Sequence, residues 1–369
     1  MILNYLIIIV FLILGLYYIY PTKYNKEDYL NYIKCKKKGH NKVTKEIFNK
    51  YNFNRIDKDN WDLYIPCGYN GIEKEMKKIK VTNNKQIIFG INGCDKIVAK
   101  DFIWKLMVKK YGRLYSKDIM PDTYIVKNTS DRQLFYQQFD KKKIYILKKN
   151  IQRQAGLKIS NNIDEINSDL GIFTKYRVIQ ELLQDPFILN KRKINLRVYL
   201  LIICDRDKIT AYIHKGGFMY YTPKHFKKHT LDRECHITSG YVPRRVYQEN
   251  PLTLVDFKNW LIKNGYNSVF LFNNIEKLFK TVMEAISGSI CSGVLNNNVK
   301  FQLFGADVAP DENLKCKLIE INKGPDMGAK DERDKKVKFA VQEDIFDLLG
   351  LIKTGRINNF KKIWTKYHK

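Results

Sequence analysis

The chain has 369 residues, with 66 Lys and Arg against 38 Asp and Glu, for a net charge of +28. Hydrophobic residues at 44% and aromatics at 13% exclude a disordered chain and supply core for two or three packed lobes. Part of the lysine excess belongs to a general overuse of Asn, Ile, Lys and Tyr, as an A/T-rich genome produces; the remainder favours an anionic partner such as a nucleotide, a nucleic acid, an acidic peptide or a membrane surface.

The chain opens with MILNYLIIIVFLILGLYYIYP, which has no charged side chain. Roughly 20 apolar residues span a bilayer as a helix, and Tyr17, Tyr18 and Tyr20 would lie at the interface. A basic start and a small-residue cleavage site are both missing, which argues against a cleaved signal peptide. Residues 1–22 are therefore expected to form a transmembrane helix. Residues 23–44 are expected to form a basic juxtamembrane segment whose lysines touch anionic lipid and hold that side in the cytoplasm. This gives a single-pass membrane protein with its catalytic domain facing the cytoplasm.

Seven cysteines, Cys35, Cys67, Cys94, Cys204, Cys235, Cys291 and Cys316, are scattered without a C-x-x-C pair. Neither a zinc site nor a disulfide framework is expected, only buried free thiols in a reducing compartment. The sequon Asn128-Thr129-Ser130 carries little weight there.

Lys45–Pro66 reads as a helical start followed by a strand-like piece around Trp61. Asp101–Tyr111 has apolar residues at helical spacing. Lys143–Lys149 (KIYILKK) and Tyr176–Leu183 (YRVIQELL) read as buried strands. Asn195–Tyr221 reads as strands joined by a turn at Asp205-Arg206-Asp207. Helices are expected at Leu254–Asn264 and Glu276–Ser287, and a last strand pair at Phe301–Asn322. Strands and helices alternate without a βαβ rhythm, which predicts α+β lobes. No G-x-G-x-x-G or G-x-x-x-x-G-K-[ST] is present, so Rossmann and P-loop sites have no support.

The strand pair at the end carries chemistry. PDEN, Pro310–Asn313, is turn sequence. Alternation puts Glu320 and Asn322 on one face, and Leu303, Gly305 and Asp307 on one face of the partner strand. A turn centred near Asn313–Leu314 sets Asp307 across from Glu320, so three hard oxygen ligands converge as a magnesium site. Ile319 and Ile321 are expected to face the other way, into the core. In KINLRVY, alternation puts Lys193, Asn195 and Arg197 on one face, and Arg197 offers a fork for phosphate oxygens. Lys148 ends the strand IYIL, and the following loop, NIQRQAG, has the polarity of a lid over phosphates. VIQELLQDPFIL supplies main-chain groups near the turn at Asp185-Pro186 to read an adenine edge.

These blocks resemble, in order, the tubulin–tyrosine ligase family of ATP-grasp enzymes. NWDLYIP is similar to its Trp-Asp block at Trp61 and Asp62. IVAKDFIWKLM is similar to its Lys-Asp helix at Lys100 and Asp101, and MPDTYIV to its Pro-x-Thr block at Pro121 and Thr123. FQLFGADV and LIEINKGP match its closing metal motif at Asp307, Glu320, Asn322 and Pro325. The resemblance implies an ATP-grasp fold, two α/β lobes gripping ATP, with an N-terminal α/β lobe. The domain is expected over 45–355, divided at 45–120, 121–190 and 191–355, with a basic tail at 356–369.

The resemblance also implies ATP binding by Lys148, Gln180, Glu181, Leu182, Leu183, Lys193, Asn195 and Arg197. Asp307, Glu320 and Asn322 would hold Mg2+, and Arg197 and Lys148 would be catalytic. The implied reaction joins a free amino acid (glutamate, glycine or tyrosine) to a carboxylate of an acidic, tubulin-like protein tail through an acyl phosphate. Several positions depart from the pattern. Asn195 stands where Asp is usual, only Gly156 of a glycine pair is kept, and Ser239 replaces Asn. KGGFMYYT has Met219 or Tyr220 in place of an arginine. Two alternatives follow: a degenerate member that binds nucleotide or an acidic partner without chemistry, and a basic nucleic-acid-binding membrane protein. No nucleic-acid motif supports the second.

Overall fold

The computed structural model describes residues 29–34, 39–150, 156–171, 173–206, 208–238, 240–291 and 298–367. Four short strands come first: β1 (Leu30–Lys34), β2 (Phe53–Arg55), β3 (Leu63–Ile65) and β4 (Ile87–Phe89). The next four, β5 (Thr123–Ile125), β6 (Tyr145–Lys149), β7 (Leu157–Ser160) and β8 (Tyr176–Glu181), form a separate antiparallel sheet in the order β5-β8-β6-β7. The remainder are β9 (Ile188–Leu189), β10 (Arg192–Cys204), β11 (Lys208–Tyr221), β12 (Lys300–Pro310), β13 (Cys316–Asn322) and β14 (Phe360–Tyr367). They join β1–β4 in a ten-stranded sheet along the path β14-β11-β10-β12-β4-β3-β1-β2, with β13 on β12 and β9 on β10. The expected N-terminal and C-terminal lobes thus share one continuous sheet, through the parallel pairing of β4 with β12.

Strand β10 lies between β11 and β12. Helices cover both faces of the large sheet, so the second half of β10, from Val198 to Cys204, is an unbroken apolar run, whereas Lys193, Asn195 and Arg197 alternate with apolar residues in its first half. Helices Lys100–Ile119, Leu254–Lys263 and Ser268–Ile286 contribute to the core on one face. Helices Lys42–Lys50 and Glu332–Leu348 contribute to the core on the other. The small sheet has its own core, around Phe135, Tyr145, Leu147 and Ile179.

Several expectations are corrected. Among the described residues no helix is long and apolar enough to cross a membrane. The transmembrane helix, and the single-pass membrane localisation built on it, are therefore not supported; residues 1–22, where that helix was placed, lie outside the described residues. In the stretch read as juxtamembrane, Leu30–Lys34 is a strand paired with β2 and β3, and Tyr32 is buried. In the stretch read as a basic tail, Phe360–Tyr367 is an edge strand on β11. Asn128 caps the helix Thr129–Gln138, its side-chain oxygen accepting from the Asp131 N–H at 2.9 Å, which is the physical reason for an Asn there. The expectation of seven unpaired thiols also fails. Cys204, at the end of β10, is disulfide-bonded to Cys291, 87 residues away, and Cys67 is disulfide-bonded as well. Cys94, Cys235 and Cys316 are free and buried.

Candidate active site

A cleft of about 690 Å3 opens between the small sheet and the ten-stranded sheet, within the size range of ligand pockets. All eleven residues singled out from the sequence line it: Lys148, Gln180, Glu181, Leu182, Leu183, Lys193, Asn195, Arg197, Asp307, Glu320 and Asn322. Strand β6 delivers Lys148, the end of β8 delivers 180–183, β10 delivers Lys193, Asn195 and Arg197, and β12 and β13 deliver the carboxylates.

Pairing of β10 with β12 sets Arg197 opposite Asp307. The guanidinium grips that carboxylate with both arms: Nε donates to Oδ1 at 2.7 Å and Nη2 to Oδ2 at 3.2 Å. Pairing of β12 with β13 sets Asp307 opposite Glu320 and Gly305 opposite Asn322. A register shift falls between Asp307 and Val308, since Val308 pairs with Leu318. Ile319 is the extra residue of a β-bulge, and it lines the cleft beside Glu320. The expectation that Ile319 and Ile321 face the core together holds only for Ile321.

Glu320 Oε2 lies 3.3 Å from Lys100 Nζ, and Glu320 Oε1 accepts from Asn322 Nδ2 at 3.1 Å. Burial opposes the Glu320 charge, yet Lys100 and Lys148 hold its carboxyl below the usual range. Burial pushes Asp307 up, Glu320 adds to this, and Arg197 opposes it. Burial also works against the Arg197 charge, but Asp307 outweighs it and keeps the guanidinium protonated.

Lys148 Nζ donates to Gln180 Oε1 at 2.6 Å, and Gln180 Nε2 donates to Thr123 Oγ1 at 2.8 Å. Neither Lys148 nor Lys193 has a carboxylate within ion-pair distance among the described residues. Both are at least 95% buried, with 5% of their surface exposed. Burial lowers Lys148 to about 8, with Lys100 adding to it and Glu320 and Asp307 opposing. Burial and the Lys148 charge lower Lys193 to about 7. Asn195 Oδ1 is buried without a hydrogen-bond partner, and so is His236 Nδ1. Since His236 Nε2 bonds the Thr230 carbonyl at 2.7 Å, the ring is assigned as Nε2–H, with Nδ1 a free acceptor. At the hinge, the N–H groups of Glu181 and Leu182 already bond Asp122 and Ile144. Leu183 is left as the hinge residue with no backbone partner among the described residues.

Sequence reasoning did not place Lys100, Tyr69, His236 or Tyr220 in the site, although Lys100 stood in a family block. Of Met219 and Tyr220, Met219 is core. Tyr220 lines the cleft opposite Asn195, its ring centre 5.0 Å from the Arg197 guanidinium. Residues 151–155 of the expected lid, and Ser239, lie outside the described residues.

The residues fit a magnesium ion bound to nucleotide phosphates. Asp307 and Glu320 are adjacent hard oxygen donors whose mutual repulsion a divalent cation relieves, while two buried ammoniums and two orphaned acceptors face the same space. Two lobes closing on a cleft of buried cations and paired carboxylates define a nucleotide-using class of fold. A profile of the tubulin-tyrosine ligase family matches residues 77–356, and the chain belongs to that family, which is part of the ATP-grasp superfamily. It is 26% identical over 200 residues to rat "Probable tubulin polyglutamylase TTLL9", covering 51% of this chain and 42% of that protein. It is 25% identical over 327 residues to mouse "Tubulin polyglutamylase TTLL6", covering 83% of this chain and 38% of that one. Similarity to "Protein polyglycylase TTLL10" of Macaca fascicularis is 24% over 263 residues, covering 64% and 42%. The chain thus spans about two fifths of the length of these three relatives.

Lys193, with no carboxylate partner among the described residues, is expected to make the affinity for a nucleotide pH-dependent. Its folded pKa lies below the ordinary lysine value of about 10.4. The cost of burying its charge is therefore fully present below about 7 and is relieved as pH rises toward the ordinary value. A bound phosphate favours the charged form, so affinity is highest below about 7 and falls above it. Lys193→Met is expected to weaken binding of a Mg-ATP analogue about tenfold at pH 6. It should also remove the decline that starts near 7, as titration calorimetry across pH would show. An unchanged pH profile would refute the assignment.

Proposed function

We propose that this chain is an ATP-dependent ligase that joins a free amino acid, glutamate or glycine as in its relatives' names or tyrosine, to a carboxylate on an acidic protein tail. The observation that carries this is the pair of buried, carboxylate-free ammoniums, Lys148 and Lys193, beside the Arg197–Asp307–Glu320 cluster. Such charges are costly unless a polyanion completes them. Asn195 and His236 supply acceptors for the hydroxyl or amino donors of a nucleoside, and Leu183 supplies a free main-chain edge for the base.

Asp307, Glu320 and Asn322 would hold Mg2+, which when bound offsets phosphate charge. Lys148 and Arg197 stabilise the negative charge that moves as the γ-phosphoryl group passes to the acceptor carboxylate. The amine of the amino acid then attacks the acyl carbon, and phosphate leaves with the bonding electron pair as the amine gives up a proton. Asp307 keeps Arg197 oriented, and Lys100 keeps Glu320 ionised. An acidic tail is drawn to a chain of net charge +28.

A second reading, nucleotide binding without ligation, draws on the arginine that the family resemblance implies at Met219 or Tyr220 and that this chain lacks there. One experiment separates the two. The chain is incubated with Mg-ATP, mixed labelled amino acids and tubulin, beside a Glu320→Gln control, and intact masses are measured. A discrete mass gain on tubulin, absent from the control, is the expected result. ATP binding with no mass gain on any acidic acceptor would leave only the second reading.

A further inference from the structure

A cavity of about 490 Å3, sharing no wall residue with the cleft, lies where β1 and β3 meet residues 72–80. Its size is that of a ligand pocket. Trp61 and Tyr64 form part of its wall, edge-on with ring centres 5.9 Å apart, together with Ile33 and Ile79. Trp61 is only 2% exposed, and its indole N–H has no hydrogen-bond partner among the described residues. A buried donor left unpaired is costly, which points to an acceptor brought by a ligand. The rest of the wall is largely basic. Lys74, Lys78 and Lys80 line it, all three exposed, from the stretch KEMKKIK with four lysines and one glutamate.

Two carboxylates also line the cavity, and both are committed within the protein. Glu75 accepts from the Tyr64 hydroxyl at 2.6 Å and from the Cys67 N–H at 2.9 Å. Asp59 is paired with Lys80 at 3.1 Å. Lys74 and Lys78 have no carboxylate within ion-pair distance among the described residues. The charge left open to a ligand is therefore positive. The chain itself leads from this cavity to the cleft. Cys67 lines it and also a smaller cavity, of about 180 Å3, beside Tyr69. Tyr69 lines that smaller cavity and the cleft. Cys67 and Tyr69 are two residues apart, at most about 7 Å, a distance that an extended peptide covers in about two residues.

We infer that this cavity is a docking site for the acceptor, holding acidic side chains of its tail on Lys74, Lys78 and the Trp61 N–H while the carboxylate to be modified lies in the cleft. The inference rests on the proposed ligase reading. A carboxylate accepts from ammoniums and from an indole N–H alike, so one ligand chemistry satisfies every open donor here. Exposed ion pairs are individually weak. Retention therefore needs several acids in succession, which a glutamate-rich tail presents and a single free amino acid does not. The same charge would attract a nucleic acid, but the buried Trp61 offers a base no open face to stack on.

The test is fluorescence anisotropy of a labelled decaglutamate peptide with the full chain, saturated with a non-hydrolysable Mg-ATP analogue. The double variant Lys74→Glu/Lys78→Glu should weaken peptide binding about tenfold. A control, Lys258→Glu/Lys263→Glu, makes the same change in net charge at exposed positions of the helix Leu254–Lys263 and should stay within about twofold. Both variants should keep the parental nucleotide affinity, which reports that they are folded. With tubulin as acceptor, the cavity variant should raise KM about tenfold and leave kcat unchanged. Equal weakening in both double variants would assign the effect to overall charge and overturn the inference. So would unchanged binding in the cavity variant, or no peptide binding to the parent. A decathymidylate that binds tighter than the peptide, and is lost in the cavity variant, would assign the cavity to nucleic acid and overturn it too. Peptide binding that depends on Lys74 and Lys78, with no mass gain on tubulin, would instead bring down the ligase reading and leave an acidic-peptide site.

Discussion

Glu320→Gln is expected to lower ATP turnover by about a thousandfold while the protein remains folded. The substitution preserves the shape of the side chain and an oxygen that can accept from Asn322 Nδ2, now at 3.1 Å. It removes the charge that faces Lys100 at 3.3 Å and stabilises the Lys148 ammonium. Lys148 should then lose its proton more readily, so nucleotide affinity falls less than turnover does and falls mainly at higher pH. The ionised Glu320 contributes stability that is present above its unfolded pKa and lost as pH falls through its depressed folded value. The variant should therefore lack part of the acid-induced loss of stability seen in the parent. ADP release at saturating Mg-ATP, together with thermal denaturation from pH 3 to 7, checks both statements. Parental turnover in the variant would remove Glu320 from the metal and phosphate machinery.

Arg197→Met should cost about 3 kcal/mol or more of stability. Asp307 is 8% exposed, and both of its oxygens are held by Arg197. Without the guanidinium, a buried carboxylate sits beside Glu320 with no countercharge from its own strand neighbour. It must take up a proton or draw in water. The denaturation midpoint is expected to drop by roughly 4 °C. Adding Asp307→Asn removes the stranded charge and should restore most of that loss, because the cost lies in the unpaired carboxylate rather than in lost packing. Activity should not return, since the phosphate fork and a metal oxygen are both gone. If the double variant is no more stable than the single one, Arg197 acts mainly by filling space.

The site was legible in the sequence where strand alternation carries the information. Lys193, Asn195 and Arg197 point the same way because side chains on one strand repeat every two residues, and a local rule of that kind survives folding. The pairing of Asp307 with Glu320 was reached from a turn centre near Asn313–Leu314, but the structure arrives there differently. Near the turn, Pro310 pairs with Cys316, and the bulge at Ile319 shifts the register before the carboxylates. A bulge has no signature in an apolar run, so the side on which Ile319 emerges was not readable.

What the sequence determined by itself is the set of chemical groups and their order along the chain: lysines in strands, a forked arginine, and two acids and an amide before a Gly-Pro. Only the tertiary structure decided which of them meet. Lys100 reaches Glu320 across 220 positions of chain, and Cys204 bonds Cys291. The small early strands β1–β4 gain their place by pairing into a sheet whose centre is made of residues 192–310. Tyr220, rather than Met219, faces the cleft because its register on β10 sets it opposite Asn195. The cavity beside Tyr69 exists only where helix, strand and loop converge. Alternation and turn chemistry act over a few residues, whereas these contacts depend on the packing of distant segments against one another, which no local spacing encodes.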